Sequence, residues 1–263
     1  WVGKGEATLA GKHTALVELQ GVIAADEASS DRIIAGLQDA FKDKDTQGVI
    51  LRINSPGGSP VQSGYINDEI RRLRAKYPKI PLYAVVEDIC ASGGYYVAVA
   101  ADKIFVNRAS IVGSVGVLMD GFGFTGAMEK LGVERRLLTA GKNKGFLDPF
   151  SPVVSSQQDY AQQMLNEIHQ QFIGVVREGR GKRLKETPDM FSGLVWSGEQ
   201  SIKLGLADAL GSADYVAREV IKAENIVDFT PHEGIAERFA KRFGAAAAKA
   251  LVTPALQSGV SLH

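Results

Sequence analysis

Short apolar runs of strand length alternate with amphipathic helical patterns through the first half of the chain, and this commits it to an α/β fold around a largely parallel sheet. A strand is predicted over Ala15 to Ile23. A helix follows over Asp31 to Asp43, where Ile33, Ile34, Leu37 and Phe41 recur at spacings of three and four and share one face. A second buried strand, Gly48 to Ile53, is broken sharply by Asn54-Ser55-Pro56-Gly57-Gly58-Ser59 and precedes a charged helix over Val61 to Ala75. The third strand, Pro81 to Val86, leads through Glu87 to Ala91 into Ser92. There an Ala/Gly/Tyr-rich helix begins that ends near Ala101; being apolar all round, it is expected to be buried. Strands at Lys103 to Val106 and Val115 to Met119, with a turn at Ile111 to Ser114 between them, precede a helix at Thr125 to Leu131 and a strand at Val133 to Leu138.

Beyond Leu138 the texture changes to a loop rich in glycine and charge, Thr139 to Pro149. A long helix is predicted from Ser155, its N-cap, to Gly179. A Gly/Lys/Arg hinge follows over Gly179 to Lys185, then helical segments near Ser197 to Leu204 and Ala213 to Ala223. The predicted organisation is one α/β domain over residues 1–231 and a helical tail over 232–263, where Ile235, Phe239 and Phe243 form a docking stripe.

Thirty basic and thirty acidic side chains cancel, with no long basic block, which argues against nucleic acid as a partner. The single cysteine, Cys90, precludes an intramolecular disulfide. The longest uncharged run near the centre, Ile89 to Ala101, falls short of the roughly 20 apolar residues a membrane helix needs. A start at Trp1 leads us to expect processing or trimming, with any membrane anchor lying upstream.

The chemistry concentrates in Ala91-Ser92-Gly93-Gly94-Tyr95-Tyr96. A serine between a strand end and a helix start can have its hydroxyl lifted clear of the sheet, while the helix N-terminus offers free amides to a developing negative charge. The same residues also suit a plain N-cap. The Pro-Gly-Gly turn at the end of the preceding strand adds backbone donors at the same sheet edge, where ligands of open α/β sheets bind. A serine needs a base. None of His13, His169, His232 and His263 falls in a strand-end loop at that edge, and all four are read as ordinary surface residues. A desolvated lysine serves instead, because removal from water favours the neutral amine. Lys142 and Lys144, in the glycine-rich loop, are both candidates.

These motifs resemble the bacterial signal peptide peptidase A family of serine-lysine peptidases, from about Ala15 to Gly179 and more weakly to Ala223. The resemblance is carried by Asn54-Ser55-Pro56-Gly57-Gly58, Ala91 to Tyr96, Ala101-Asp102-Lys103-Ile104, Val112-Gly113-Ser114-Val115-Gly116-Val117 and Gly141-Lys142-Asn143-Lys144. It implies Ser92 as nucleophile, Lys144 rather than Lys142 as general base, and Ser114 as the residue that orients the base. It also implies Gly58 with Gly57, and Gly93, as the two sides of an oxyanion hole. The implied fold is that of the caseinolytic protease and crotonase group, with repeated strand-strand-helix units and added C-terminal helices. The implied assembly is a homo-oligomeric ring in which adjacent protomers share each site. The implied substrates are hydrophobic peptides such as signal peptide remnants, cleaved at the outer face of the bacterial cytoplasmic membrane without cofactor or metal. The competing enzymatic reading is a crotonase-like acyl-coenzyme A hydratase or hydrolase, whose glycine amides would hold a thioester oxyanion. A scaffold that kept the fold and lost activity is the non-catalytic alternative.

Overall fold

The structure is a computed structural model that describes residues 11–231. The predicted Ala-rich tail helix and its stripe, with His232 and His263, lie outside those residues.

Eight strands form one sheet among the described residues. The chain runs β1 (His13–Gln20), α1 (Ser30–Lys42), β2 (Thr46–Ser55), α2 (Pro60–Lys76), β3 (Leu82–Ala91), α3 (Gly93–Ala98), β4 (Lys103–Val106) and β5 (Ile111–Gly113). It continues through α4 (Thr125–Lys130), α5 (Ser155–Arg180), β6 (Val195–Ser197), α6 (Gly198–Lys203), β7 (Ala209–Leu210), α7 (Ala213–Tyr215) and β8 (Ile226–Asp228). The main path is β6-β5-β3-β2-β1-β8, with β4 pairing the first half of β3 and β7 pairing β4. All pairs are parallel except β5 with β6.

Alternation along the strands divides the core. Ala15, Val17 and Leu19 of β1 and Val49, Leu51 and Ile53 of β2 face α1, α2, α3 and α5 in the main cluster. Leu16, Ile50, Val85 and Phe105 point to the other face, where Val216 and Ala217 cover them. Each completely buried Leu, Ile or Val contributes about 1.5–3 kcal/mol relative to exposure, so burial on both faces explains why β1 and β2 read as nearly unbroken apolar runs.

Several predicted elements move. β1 stops at Gln20 because Gly21 turns the chain at φ 86°; Ile23 instead makes an isolated bridge with Gly58. β3 runs on to Ala91, and α3 closes at Ala98. The predicted turn at Ile111 to Ser114 contains strand β5, whereas Val115 to Met119 belongs to no strand. Pairing decides this. Ile111, Val112 and Gly113 lie between Ile89–Ala91 of β3 and β6, and Ser114 leaves that ladder at φ 52°. Val133 to Leu138 forms no strand either; with Leu138 97% exposed, its apolar residues have no sheet to join. Ser155 is the first residue of α5, not its cap, which is Val154. His13 is not a surface residue before the first strand. It opens β1, is wholly buried, meets Thr46 Oγ1 through Nε2 at 3.2 Å and stacks on Phe229.

Candidate active site

Ser92 occupies the junction of β3 and α3 with φ 51° and ψ −122°, a region that non-glycine residues avoid. Holding it there costs about 1–3 kcal/mol, and such strain persists only where the surroundings impose it. Its N–H donates to the Gly113 carbonyl at 2.8 Å, and its carbonyl accepts from Tyr96 N at 3.0 Å. From the other side, the turn after β2 presses in: a Cβ built on Gly57 would lie 2.8 Å from Ser92 Cβ and 2.6 Å from Gly93 N. Only a glycine permits that approach.

Ser92 sits at the N-cap position of α3, yet its hydroxyl caps nothing. The contrast with other serines is direct. Ser59, Ser197 and Ser212 at the starts of α2, α6 and α7 each accept an amide of the first turn. The Ser92 hydroxyl makes no hydrogen bond among the described residues and opens into a cavity of about 620 Å3.

The two glycines of the turn after β2 are not equivalent. The Gly57 amide donates to Ser55 Oγ at 3.1 Å, within a completely buried serine. The Gly58 amide has no acceptor among the described residues, and Gly58 lines the cavity. The Gly93 amide, in the first turn of α3, is likewise unpaired, as expected for a helix N-terminus. Gly58 N would lie 3.2 Å from a Cβ built on Gly93, so the two donors are neighbours. Gly57 therefore contributes closeness of approach, while Gly58 and Gly93 contribute free N–H groups.

Ser114 faces the same cavity and is the second strained serine, its N–H donating to Leu194 O at 2.7 Å. Tyr96, Val117, Leu118, Ile168 and Phe172 give the walls their apolar character. The size is that of a pocket for a small ligand or a few side chains. Burial pushes the Tyr96 hydroxyl above its ordinary value, keeping it neutral. Among the described residues no cluster of His, Cys, Asp or Glu could hold a metal ion.

Lys144 is not brought to this cavity within one chain. It is exposed in the turn over Gly141 to Gly145, and neither it nor Lys142 is among the lining residues. His169, read from sequence as a surface residue, is half-buried on α5, one residue from Ile168, and its Nε2 is 3.1 Å from the Val115 carbonyl. The α5 contribution to the cavity, Ile168, Gln171 and Phe172, is not anticipated by the motifs; its signal is their helical spacing toward the neighbouring sheet edge.

A strained serine at the carboxyl end of a central strand of a parallel sheet, sharing one cavity with two free glycine amides, marks the candidate site. Residues 74–227 match the family model "Peptidase family S49", more than half of the chain. The chain belongs to that family, the signal peptide peptidase A family. A protein of Methanocaldococcus jannaschii named putative protease MJ0651 is 35% identical over 190 residues, covering 72% of this chain and 60% of that protein. The putative signal peptide peptidase SppA of Enterococcus faecium is 28% identical over 205 residues, 78% of this chain and 59% of its own length. A protein of Brucella melitensis biotype 1 named Na(+)/H(+) antiporter NhaA is 47% identical over 175 residues, 66% of this chain and only 24% of that protein. The chain thus spans between a quarter and three fifths of these relatives. Among solved structures, a serine-to-alanine mutant of the membrane-bound stomatin-specific protease 1510-N superposes with a TM-score of 0.52 at 12% identity. That match covers 85% of this chain and 100% of the other, and places the fold in the caseinolytic protease and crotonase-like group.

Proposed function

We propose that this protein is a serine endopeptidase that cleaves hydrophobic peptides, signal peptide remnants among them, through an acyl-enzyme on Ser92. The observation that carries the reading is the strained Ser92 turn, whose uncommitted hydroxyl shares a cavity with the free amides of Gly58 and Gly93. In this reading a neutral Lys144 takes the Ser92 proton as Oγ attacks the peptide carbonyl. The Gly58 and Gly93 amides hold the oxyanion, Lys144 returns the proton to the departing amine, and water activated by the same lysine releases the acyl group. Ser114 holds the amine in one orientation. The apolar walls at Tyr96, Val117, Leu118, Ile168 and Phe172 favour apolar side chains in the substrate.

A lysine acts as a base only when withdrawn from water. Exposed Lys144 fits that role when an adjacent protomer covers it, which favours a homo-oligomeric ring with sites shared between neighbours. Exposed apolar side chains in the same stretch of chain, Phe122 at 80% and Leu138 at 97%, suit such a cover. We place the site at the outer face of a bacterial cytoplasmic membrane. Among the described residues no helix is long and apolar enough to cross a membrane, so the anchor in this reading is a segment other than these helices.

Ser92→Ala and Lys144→Ala are each expected to abolish cleavage of an apolar peptide, and a fluorophosphonate is expected to label Ser92. Saturable binding of an acyl-coenzyme A without labelling would favour the crotonase-type reading instead. Retained hydrolysis by either variant would overturn the assignment.

A further inference from the structure

β3 changes neighbours half-way. Tyr83 to Val85 pair with β4, whereas Ile89 to Ala91 pair with β5. On its other side, β2 is paired at Ile53 with Val86 and next at Ser55 with Cys90. Between those pairs β2 has one residue, Asn54, and β3 has three: Glu87, Asp88 and Ile89. The two extra residues form a bulge where the backbone ladder is interrupted.

Side chains bridge the interruption from both sides. Ile89 N–H donates to Asn54 Oδ1 at 3.3 Å, and Asn54 Nδ2 donates to Asp88 Oδ2 at 3.1 Å. Asn54 is itself tied to the chain leaving β1, its carbonyl accepting from Gly21 N at 2.9 Å. From the β5 side, the buried Ser110 hydroxyl donates to the Glu87 carbonyl and accepts from Asn107 N at 3.0 Å.

The bulge sets where Ser92 emerges. Continuing from Ser55 opposite Cys90, Ser92 stands opposite Gly57, in agreement with the close packing of those two residues. Without the extra residues, the pairing of Ile53 with Val86 would carry Ser92 opposite Ser59. That is two residues beyond Gly57, about 6.6 Å at about 3.3 Å per residue. The bulge also releases Ile89 to Ala91 to β5, whose Gly113 carbonyl holds the Ser92 amide.

We infer that Asn54, with Ser110 across the strand, is a positioning residue for the nucleophile: its side chain fixes the β3 bulge that brings Ser92 level with the glycine amides and Ser114. The inference rests on Ser92 being the nucleophile. Its test is a swap. Asn54→Ala removes both bonds, and Asn54→Asp opposes two carboxylates. In the double variant Asn54→Asp with Asp88→Asn, an acceptor for Ile89 N and a donor–acceptor pair across the bulge are both restored.

Full-chain variants would be compared for kcat and KM on an apolar peptide, for the rate of fluorophosphonate labelling, and for thermal unfolding. Asn54→Ala is expected to lower kcat and labelling roughly 10- to 100-fold, the scale of an ångström-level misplacement, with KM within about threefold. The swapped pair is expected to recover most of the loss. A kcat for Asn54→Ala within about twofold of the parent overturns the inference. So does a loss that a folded swapped pair fails to recover. If the parent and Ser92→Ala hydrolyse equally, the assignment of the nucleophile has failed instead.

Discussion

Ser92 and Ser114 leave adjacent parallel strands side by side, each one residue beyond the paired Ala91 and Gly113, and both in the left-handed region at φ 51° and 52°. Two strained non-glycine residues at one sheet edge identify a place where the fold holds backbone away from its preferred geometry.

The strain has a measurable sign. Ser92→Ala keeps the unfavourable φ, whereas Ser92→Gly relieves about 1–3 kcal/mol of it and loses only about 0.5–1 kcal/mol through the greater freedom of the unfolded chain. Ser92→Gly is therefore expected to be about 1 kcal/mol more stable than Ser92→Ala in urea unfolding, with both inactive. Equal stabilities would show that the turn is relaxed.

Gly57 and Gly64 should respond in opposite directions to alanine. The Cβ of Gly57→Ala meets Gly93 N at 2.6 Å and Ala91 O at 2.9 Å, all backbone, at φ 103°. Destabilisation by about 1–3 kcal/mol with loss of hydrolysis is expected. Gly64, within α2, has open space around its missing Cβ, so Gly64→Ala should gain about 0.5–1 kcal/mol and leave hydrolysis intact. Chemical denaturation of both variants checks the pair.

The layered fold is legible in the sequence because α1 carries a strong helical period and the first strands are short, nearly unbroken apolar runs bounded by turn residues. Ser92 is visible as a serine between a strand and two glycines, but the even choice between cap and nucleophile is not resolvable there. That choice depends on whether the hydroxyl finds an amide, a matter of φ and ψ. β5 escapes a reading of the sequence because a three-residue strand is defined by its neighbours, β3 and β6, and carries no period of its own. The bulge in β3 is invisible for the same reason: Glu87 to Ala91 read only as the lead from the strand into Ser92, and pairing with β2 alone shows that β3 carries two extra residues there. His13 reads as a surface residue because its partners, Thr46 and Phe229, are distant in sequence.

His169 offers a check on the identity of the base. Its Nε2 is engaged with the Val115 carbonyl, next to Ser114, which is a structural task that a glutamine amide can also perform. His169→Gln is expected to keep kcat within about threefold. A general base contributes about 10²–10⁴-fold, so a loss of that size in His169→Gln would transfer the role from Lys144 to this histidine.

Asp208 makes folding acid-sensitive. Burial alone would push its carboxyl up, but the hydrogen bonds and charge of Arg180, at 2.9 Å to each oxygen, outweigh that, as do Ile104 N and Arg183. Its value in the folded chain is below the ordinary one. The stabilisation is then complete above about pH 4, the unfolded value, and is lost as pH falls through the lower folded value. Asp208→Asn also strands Arg180, which is 1% exposed, at a cost of about 3 kcal/mol. Thermal unfolding should show the largest deficit of this variant near neutrality and a narrowing gap below about pH 4. A gap independent of pH would remove Asp208 from the acid response.

Sharing of sites between protomers makes the sharpest demand. If Lys144 serves the Ser92 of a neighbour, Ser92→Ala and Lys144→Ala chains are each inactive alone. A mixed assembly, however, contains interfaces where an intact Ser92 meets an intact Lys144. Random mixing at equal amounts places the two intact residues together at about a quarter of the interfaces, since each has an even chance of coming from the right chain. Co-refolding or co-expressing the two variants should therefore recover roughly a quarter of the parent rate per chain. Fluorophosphonate labelling should fall only on chains that retain Ser92. If Lys144 reaches Ser92 within its own chain, no pairing of these variants unites them and the mixture stays inactive. The exposure of Lys144 outside the Ser92 cavity favours recovery.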